Sequence, residues 1–486
     1  MTDKECELTY KGKAAGDKVL STRPKPLVTL KSVRIDAPWR NLLISGDNLG
    51  ALATLLEMKR AGTLKCADKT SGVRLVYIDP PFSTRLEFKA KKNQKAYDDK
   101  LGGAEFIESL RKRLILLREL LTEDGSIYVH LDWKKAHYIK VIMDEVFGEE
   151  NFLNDIIWSY GGRGAKHISG QFSRNHDIIL WYKKGASHVF NQLTIGKRVP
   201  KKGGGFKQDD EGRWFKTSPK GDYTDESMKA LAKQGRVYTT RTGVMRVKYF
   251  LKDEGEYLIE DKLVGDVWDD IPDAMHLSES EKTGYPTQKP EALLERVIRA
   301  SSEAGDIVLD CFSGAGTTLA VAEKLGRRWV GIDSGSLAIH TTEVRLLTIA
   351  ASKSLDEPKK KYAKPCRPFD ILGELEHDHA GCAGQKTAPK VKCSYDVDES
   401  SGECVVRIER FTSPGSGLKD MEALSSVAVD LNFDGEAMKI DLFATKEELE
   451  KNGFEFRFPV KAVKGEVLLA FADIFGNEKW FVGELA

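Results

Sequence analysis

Asp79-Pro80-Pro81-Phe82 combines a carboxylate, two rigid residues and an aromatic face directly after the apolar run 74–78. Two prolines stiffen the backbone and stop the chain turning at once into helix. The loop that results projects one carboxylate and one ring beyond the end of a strand. That pair suits an exocyclic amino group on a planar base: oxygens to accept its N–H bonds and a surface to stack on. Read alone, the tetrapeptide is equally well a Pro-rich strand stop with an Asp cap.

The second chemistry-bearing stretch is Ile307-Val-Leu-Asp-Cys-Phe-Ser-Gly-Ala-Gly-Thr-Thr318. A buried strand runs into Ser313-Gly314-Ala315-Gly316, and Thr317 opens a helix over 318–325. Glycines let a backbone approach a ligand closely, and a helix N-terminus offers free N–H groups. Asp333 follows 23 residues after Asp310, at the end of the next strand. An acid there suits a ribose diol. A dinucleotide fingerprint would want a third glycine at 319, which is Leu319.

Together the two stretches resemble the amino-methylating DNA methyltransferases, whose signature is Asp/Asn/Ser-Pro-Pro-Tyr/Phe and whose cofactor loop carries an acid, an aromatic and Gly-x-Gly. The resemblance covers most of residues 38–350 and includes Tyr285-Pro-Thr-Gln-Lys-Pro290 and Asn41-Leu-Leu-Ile-Ser-Gly-Asp-Asn48. It implies a catalytic set of Asp79, Pro80, Pro81 and Phe82. It also implies an S-adenosylmethionine site formed by Asp310, Phe312, Ser313, Gly314, Gly316, Thr317 and Asp333, with Thr287 and Lys289 holding the methionine end. Asp310 would stand near the methionine ammonium and Asp333 on the ribose. Without the family, Thr287 and Lys289 merely cap and decorate the helix that Pro290 starts. The catalytic loop precedes the cofactor loop, which is the permuted, beta-class order. Asp in the first signature position is commoner among adenine-N6 members than among cytosine-N4 members. The implied activity is therefore methylation of adenine N6 in DNA with base flipping. Cytosine N4 and an inactive nucleic-acid-binding subunit are the alternatives.

Hydrophobic periodicity supplies the scaffold. Phe106, Ile107, Leu110, Leu114, Leu117, Leu120 and Leu121 recur at helical spacing, before a strand over 126–131 and a helix over 136–147. Residues 156–160 and 177–182 read as two strands, the antiparallel edge that such sheets carry. Trp181 and Tyr182 are candidates to press on a base, although aromatics in a strand are more often core. Asp47 is placed to cap the helix over 49–60, and contact with the cofactor adenine is the alternative. Strand and helix alternate from 38 to 182 and again from 290 to 350. The expected fold is α/β, a doubly wound, mostly parallel seven-stranded methyltransferase sheet with an inserted target-recognition region and a small C-terminal β-rich domain.

The expected domain boundaries are an N-terminal arm at 1–37, a catalytic half at 38–184, target recognition at 185–283, a cofactor half at 284–352 and an accessory domain at 365–486. The arm is polar and basic and reads as loosely held. Residues 353–364, with Pro358 and three consecutive lysines, read as a linker. The accessory domain resembles the tail of type III restriction–modification methylation subunits. His377, His379, Cys382, Cys393 and Cys404 lie in it without a paired Cys-x-x-Cys, so no metal is expected.

Lys+Arg number 75 against 74 Asp+Glu, so net charge names no partner. Local charge is more telling: from Lys183 to Lys220 ten Lys/Arg face only Asp209, Asp210 and Glu211. Basic residues among flexible glycines suit a nucleic-acid backbone, and double-stranded DNA is the expected partner. A separate restriction subunit and a homodimer stay open. The chain has no Gly-x-x-x-x-Gly-Lys-Ser/Thr loop for ATP. No apolar run approaches the length of a membrane span, and seven cysteines form no secreted framework, so a cytoplasmic location is expected.

Overall fold

The computed structural model describes residues 7–34, 37–81, 87–89, 95–98, 103–160, 170, 172–374 and 388–483. Two compact units emerge, Gln192–Gly265 and the rest of the chain. In the larger unit the strand Val73–Ile78 is buried at every position, as suits a strand covered on both faces, with the buried Arg74 neutralised by Asp68, Asp124 and Asp306. It pairs in parallel with Leu121–Leu131 on one side and with Ile307–Asp310 on the other. Arg328–Asp333, Asn41–Ser45 and Phe369–Glu374 then follow, all parallel.

Beyond Leu121–Leu131 the sheet turns antiparallel through His176–Lys183 and Phe152–Ser159, the edge read from residues 156–160 and 177–182. Val267–Trp268 closes that side. The sheet is therefore eleven strands wide rather than seven. The extra width comes from that short strand and from segments expected elsewhere. Leu27–Val33, in the presumed arm, pairs with Phe369–Glu374 and with Met438–Ile440. The two presumed accessory-domain strands Phe369–Glu374 and Met438–Ile440 thus belong to the central sheet. Lys31 and Val33 are buried by that pairing, and the ladder hydrogen bonds and ion pairs it allows outweigh the polar, basic composition of the arm.

Helices in two sets cover the sheet: Asn48–Arg60, Gly103–Leu120 and Ala136–Phe147, then Glu291–Ser301, Thr317–Lys324 and Ser336–Leu347. Asp47 caps the first of these, accepting from the Gly50 amide at 3.4 Å. The main core joins the first set to the sheet through Leu52, Leu55, Leu110, Leu114, Ile139 and Met143. A second core lies among the C-terminal strands Glu403–Thr412, Leu424–Phe433, Glu455–Pro459 and Glu466–Asp473. His377, His379 and Cys382 lie outside the described residues.

The smaller unit is built of a four-stranded antiparallel sheet, a three-stranded one and the helix Asp225–Lys233, which Thr224 caps at the Ser227 amide.

One buried ion cluster ties three distant segments of the larger unit. Lys31 on the Leu27–Val33 strand reaches Glu343 on the helix Ser336–Leu347 at 2.9 Å, and also Glu478 on the last strand. Burial pushes the Lys31 ammonium down, but the two carboxylates outweigh it and hold it above the usual lysine range. Removing one member of such a cluster strands the others, at about 3–5 kcal/mol. Lys31→Ala is expected to lose stability in that range in a urea titration; a loss below about 1 kcal/mol would show that the cluster contributes little.

Candidate active site

Parallel strands end together, and three of them deliver the chemistry. Val73–Ile78 is followed by Asp79, Ile307–Asp310 ends in its own acid, and Arg328–Asp333 ends in another. All three acids line one cavity of about 720 Å³, within the usual range for small-molecule sites. Pro80, Pro81, Thr287, Lys289, Phe312, Ser313, Gly314 and Thr317 line it as well. Asp79 and Gly314, far apart along the polymer, thus meet in one crevice. Gly316 does not line the cavity; it precedes the helix Thr317–Lys324. Phe82 lies outside the described residues.

Each acid is held in a different way. Asp79 Oδ2 accepts from the Lys289 ammonium, a short contact that ties the two signature segments together. Asp310 accepts from the Thr318 hydroxyl at 2.6 Å and from the Phe312 amide at 3.0 Å. Its carboxyl is almost fully buried, and that burial, reinforced by the charges of Asp79 and Asp333, pushes it up to about 7 despite the Thr318 bond. Asp333 spans the loop, with the Gly335 and Gly314 amides each donating at 2.9 Å. Burial pushes it upward too, against the pull of those amides.

The loop between the strand and the helix is shaped by two left-handed glycines, Gly314 at φ 48° and Gly316 at φ 68°. A Cβ on Gly316 would sit 2.6 Å from the Thr342 hydroxyl, so only glycine allows that helix to pack there. The Gly316 amide closes a turn to the Ser313 carbonyl at 2.7 Å. The Ser313 hydroxyl is buried and has no hydrogen-bond partner among the described residues.

Thr287 adopts φ 60°, a conformation that L residues seldom hold, in the loop before Pro290. That loop is fixed from behind. Thr317 donates to the Lys289 carbonyl at 3.2 Å, and Arg345 bridges Glu291, the Ala315 carbonyl and Thr317 at 2.8–3.1 Å. Lys324 adds a second bond to Glu291 at 2.6 Å. Lys289 and the glycine loop are therefore braced as one piece.

Trp181 and Tyr182 do not reach the cavity. Trp181 stacks on Tyr128 at 5.2 Å between ring centroids, and Tyr182 is fully buried with its hydroxyl on Asp144. Trp158 and Tyr160, on the neighbouring strand and just past its end, line the cavity instead. Period-two alternation assigns faces within a strand but not which neighbouring strand borders a cavity.

A polar chain that sequence reasoning missed lies beside Asp79. The Tyr77 hydroxyl meets His130 Nδ1 at 2.8 Å, and His130 Nε2 meets Asp177 Oδ2 at 3.1 Å. Tyr160 donates to Asp177 Oδ1 at 3.4 Å, and Asp177 lines the cavity. With its proton on Nε2, the His130 ring accepts from Tyr77 and donates to Asp177 at once. Burial pushes the Asp177 carboxyl up, but the His130 contact, the Lys289 charge and the Tyr160 hydroxyl together outweigh it and bring the group below the usual carboxylate range. The available signal was a histidine in an otherwise apolar strand, which on its own reads as a satisfied core residue.

Carboxylates outnumber cations around this cavity, with Asp47, Asp79, Asp177, Asp273, Asp310 and Asp333 against Arg113 and Lys289. Such a surround suits a positively charged ligand bearing hydroxyls, next to a planar group that stacks on rings.

Residues 73–343 match the N6_N4_Mtase family model, described as DNA methylase, a label that spans both amino targets. The type II methyltransferase M.EcaI of Enterobacter cloacae is 35% identical over 63% of this chain and 69% of its own length. A probable type III restriction-modification enzyme HindVI Mod subunit of Haemophilus influenzae is 26% identical over 61% of this chain and 49% of its own length. The DNA adenine methyltransferase YhdJ of Escherichia coli is 28% identical over 59% of this chain and 80% of its own length.

The glycine loop can be tested without any ligand. Gly316→Ala combines a left-handed backbone with a clash on Thr342, and is expected to destabilise the chain by more than about 1 kcal/mol. Chemical denaturation measures it; an unchanged midpoint would mean that the loop adapts freely.

Proposed function

The chain belongs to the N6/N4 DNA methylase family, and we propose that it is a site-specific enzyme acting on the N6 amino group of adenine in duplex DNA. The family is S-adenosylmethionine-dependent. When bound, that cofactor supplies an electrophilic methyl group on a sulfonium.

The carrying observation is the meeting of Asp79 with Asp310, Gly314 and Asp333 in one acid-rich cavity. The residues present fit the cofactor. Asp310 and Asp333 offer carboxylates to an ammonium and a ribose diol, and the buried Ser313 hydroxyl lacks the partner that a polar ligand would provide. Phe312 and the Gly314 backbone would form one wall, and Thr287 the other.

A target amine inside a duplex is stacked and paired, so its nucleotide must be extruded, at a few kcal/mol. Asp79 and the Pro80 carbonyl then accept the two amino hydrogens, which draws the nitrogen lone pair out of conjugation and aims it. Pro80 and Pro81 keep those acceptors rigid, so little reorganisation is needed when charge builds on nitrogen. Lys289 orients one Asp79 oxygen and leaves the other as the amino acceptor. Phe82, with Trp158 and Tyr160, supplies rings for the extruded base. Asp79 takes up the amino proton only as the new N–C bond forms.

Adenine is favoured by the aspartate in the first signature position and by likeness to a relative named as an adenine enzyme. Likeness to Mod subunits supports a place in restriction–modification with the nuclease on another chain. Within 185–283 the unit Gln192–Gly265 is assigned to target recognition, and the C-terminal strands that lie outside the central sheet are assigned to accessory contacts.

Two outcomes test this reading. Asp79→Ala should lower methyl transfer to duplex DNA by at least about a hundredfold while cofactor affinity stays within a few fold. Mass spectrometry of nucleosides from treated DNA should show N6-methyladenine; N4-methylcytosine would move the assignment to the other base, and retained transfer by Asp79→Ala would remove Asp79 from the mechanism.

Asp310 gives a pH signature. Its carboxyl titrates near 7, so it is mostly neutral at pH 6 and mostly charged at pH 8. Affinity for a cationic ligand beside it should therefore rise with pH, by about tenfold over that span for one group. Calorimetric titration with S-adenosylmethionine from pH 6 to 8 measures this, with Asp310→Asn expected to be flat. A profile that weakens toward pH 8 would contradict the role.

A further inference from the structure

In the smaller unit, Trp214–Pro219 lies between Lys207–Gln208 and Met245–Phe250, and Val237–Thr239 completes the sheet. Cross-strand partners share a face. Lys207 pairs with Phe215, Phe215 with Phe250, Thr217 with Lys248, and Arg246 with both Pro219 and Tyr238. One face therefore carries Lys207, Arg246 and Lys248 among the rings of Phe215, Tyr238 and Phe250.

The two faces handle charge differently. On the opposite face Lys216 is neutralised by Glu260. On the ring-bearing face none of the three cations is paired with a carboxylate among the described residues. Lys207 donates to the Tyr238 hydroxyl at 2.6 Å and lies 4.0 Å from its ring centroid. Lys248 lies 4.8 Å from the Phe215 ring, and Arg246 donates to the Thr217 hydroxyl at 3.0 Å and to its carbonyl at 3.2 Å. Rings and hydroxyls position a cation without cancelling its charge. Phe215 is buried beneath them, whereas Phe250 is 36% exposed at the border.

We propose that this face, through Lys207, Arg246 and Lys248, is a docking surface for the phosphodiester backbone of duplex DNA. The proposal rests on the DNA-methylating reading above and names which side of the unit meets the polyanion. Three pre-positioned, uncompensated cations on one sheet face suit a regular line of phosphates. Such contacts release counterions, so they register in the salt dependence of binding.

The experiment uses the full-length chain and a fluorescent 30-base-pair duplex, with dissociation constants measured by anisotropy from about 50 to 300 mM salt. The triple variant Lys207→Gln, Arg246→Gln, Lys248→Gln should flatten the slope of log affinity against log salt by about 2–3. Lys207→Arg with Lys248→Arg should restore the wild-type slope, which distinguishes lost charge from lost folding. Lys229→Gln with Lys233→Gln, on the helix of the same unit, should leave the slope unchanged. If the triple variant keeps the wild-type slope while wild type binds and methylates DNA, this face is not the docking surface and the functional reading stands. If the helix variant flattens the slope equally, general charge rather than this face is responsible. If wild type shows no salt-dependent binding and no methyl transfer, both readings fall together.

Discussion

Parallel pairing between Val73–Ile78 and Ile307–Asp310 is the contact on which everything else depends. The two segments lie far apart along the chain, with the whole smaller unit between them in sequence, yet their pairing sets Leu75 beside Val308 and brings Asp79 and Asp310 to the same sheet end. Open α/β sheets bind ligands outside the carboxyl ends of their strands, where loops of adjacent strands diverge. The permuted order of the two loops is therefore immaterial to the geometry. Arg328–Asp333 extends the same logic by one strand and contributes the third acid.

Within that crevice the charges are graded rather than uniform. Asp79 is held by a cation, Asp333 by backbone amides, and Asp310 by a hydroxyl and one amide deep in the protein. Three chemically identical side chains thus meet a ligand with differently engaged oxygens. The brace of Arg345 and Lys324 on Glu291 keeps Lys289 in register with the glycine loop, so the cation on Asp79 is positioned by the same elements that shape the opposite wall.

Much of this was legible from residue types and spacing. The central strands announced themselves by apolar runs bounded by Pro or Gly, and Asp47 behaves as the cap that its position suggested. The clustering of Asp79, Asp310 and Asp333 followed from strand ends, whereas Thr287 and Lys289 were placed there by the family resemblance alone. Less legible were contacts set by sheet neighbours. Periodicity gives a strand its two faces but not its place in the order, so Trp181 was as plausible a cavity residue as Trp158. For the same reason the strand Leu27–Val33 looked like part of an arm, since its partners lie hundreds of residues away. The Tyr77–His130–Asp177 chain was invisible because each member sits singly in its own strand.

Sheet order also dictates a schedule for assembly. Phe369–Glu374 is wedged between Asn41–Ser45 and Leu27–Val33, so the early segment has no edge to join until the late one has emerged from the ribosome. At about 5–20 residues per second that wait is on the order of tens of seconds. Until then Leu42, Leu43 and Ile44, fully or nearly buried in the finished sheet, have no strand to lie beside, so the early segment stays uncovered for that interval.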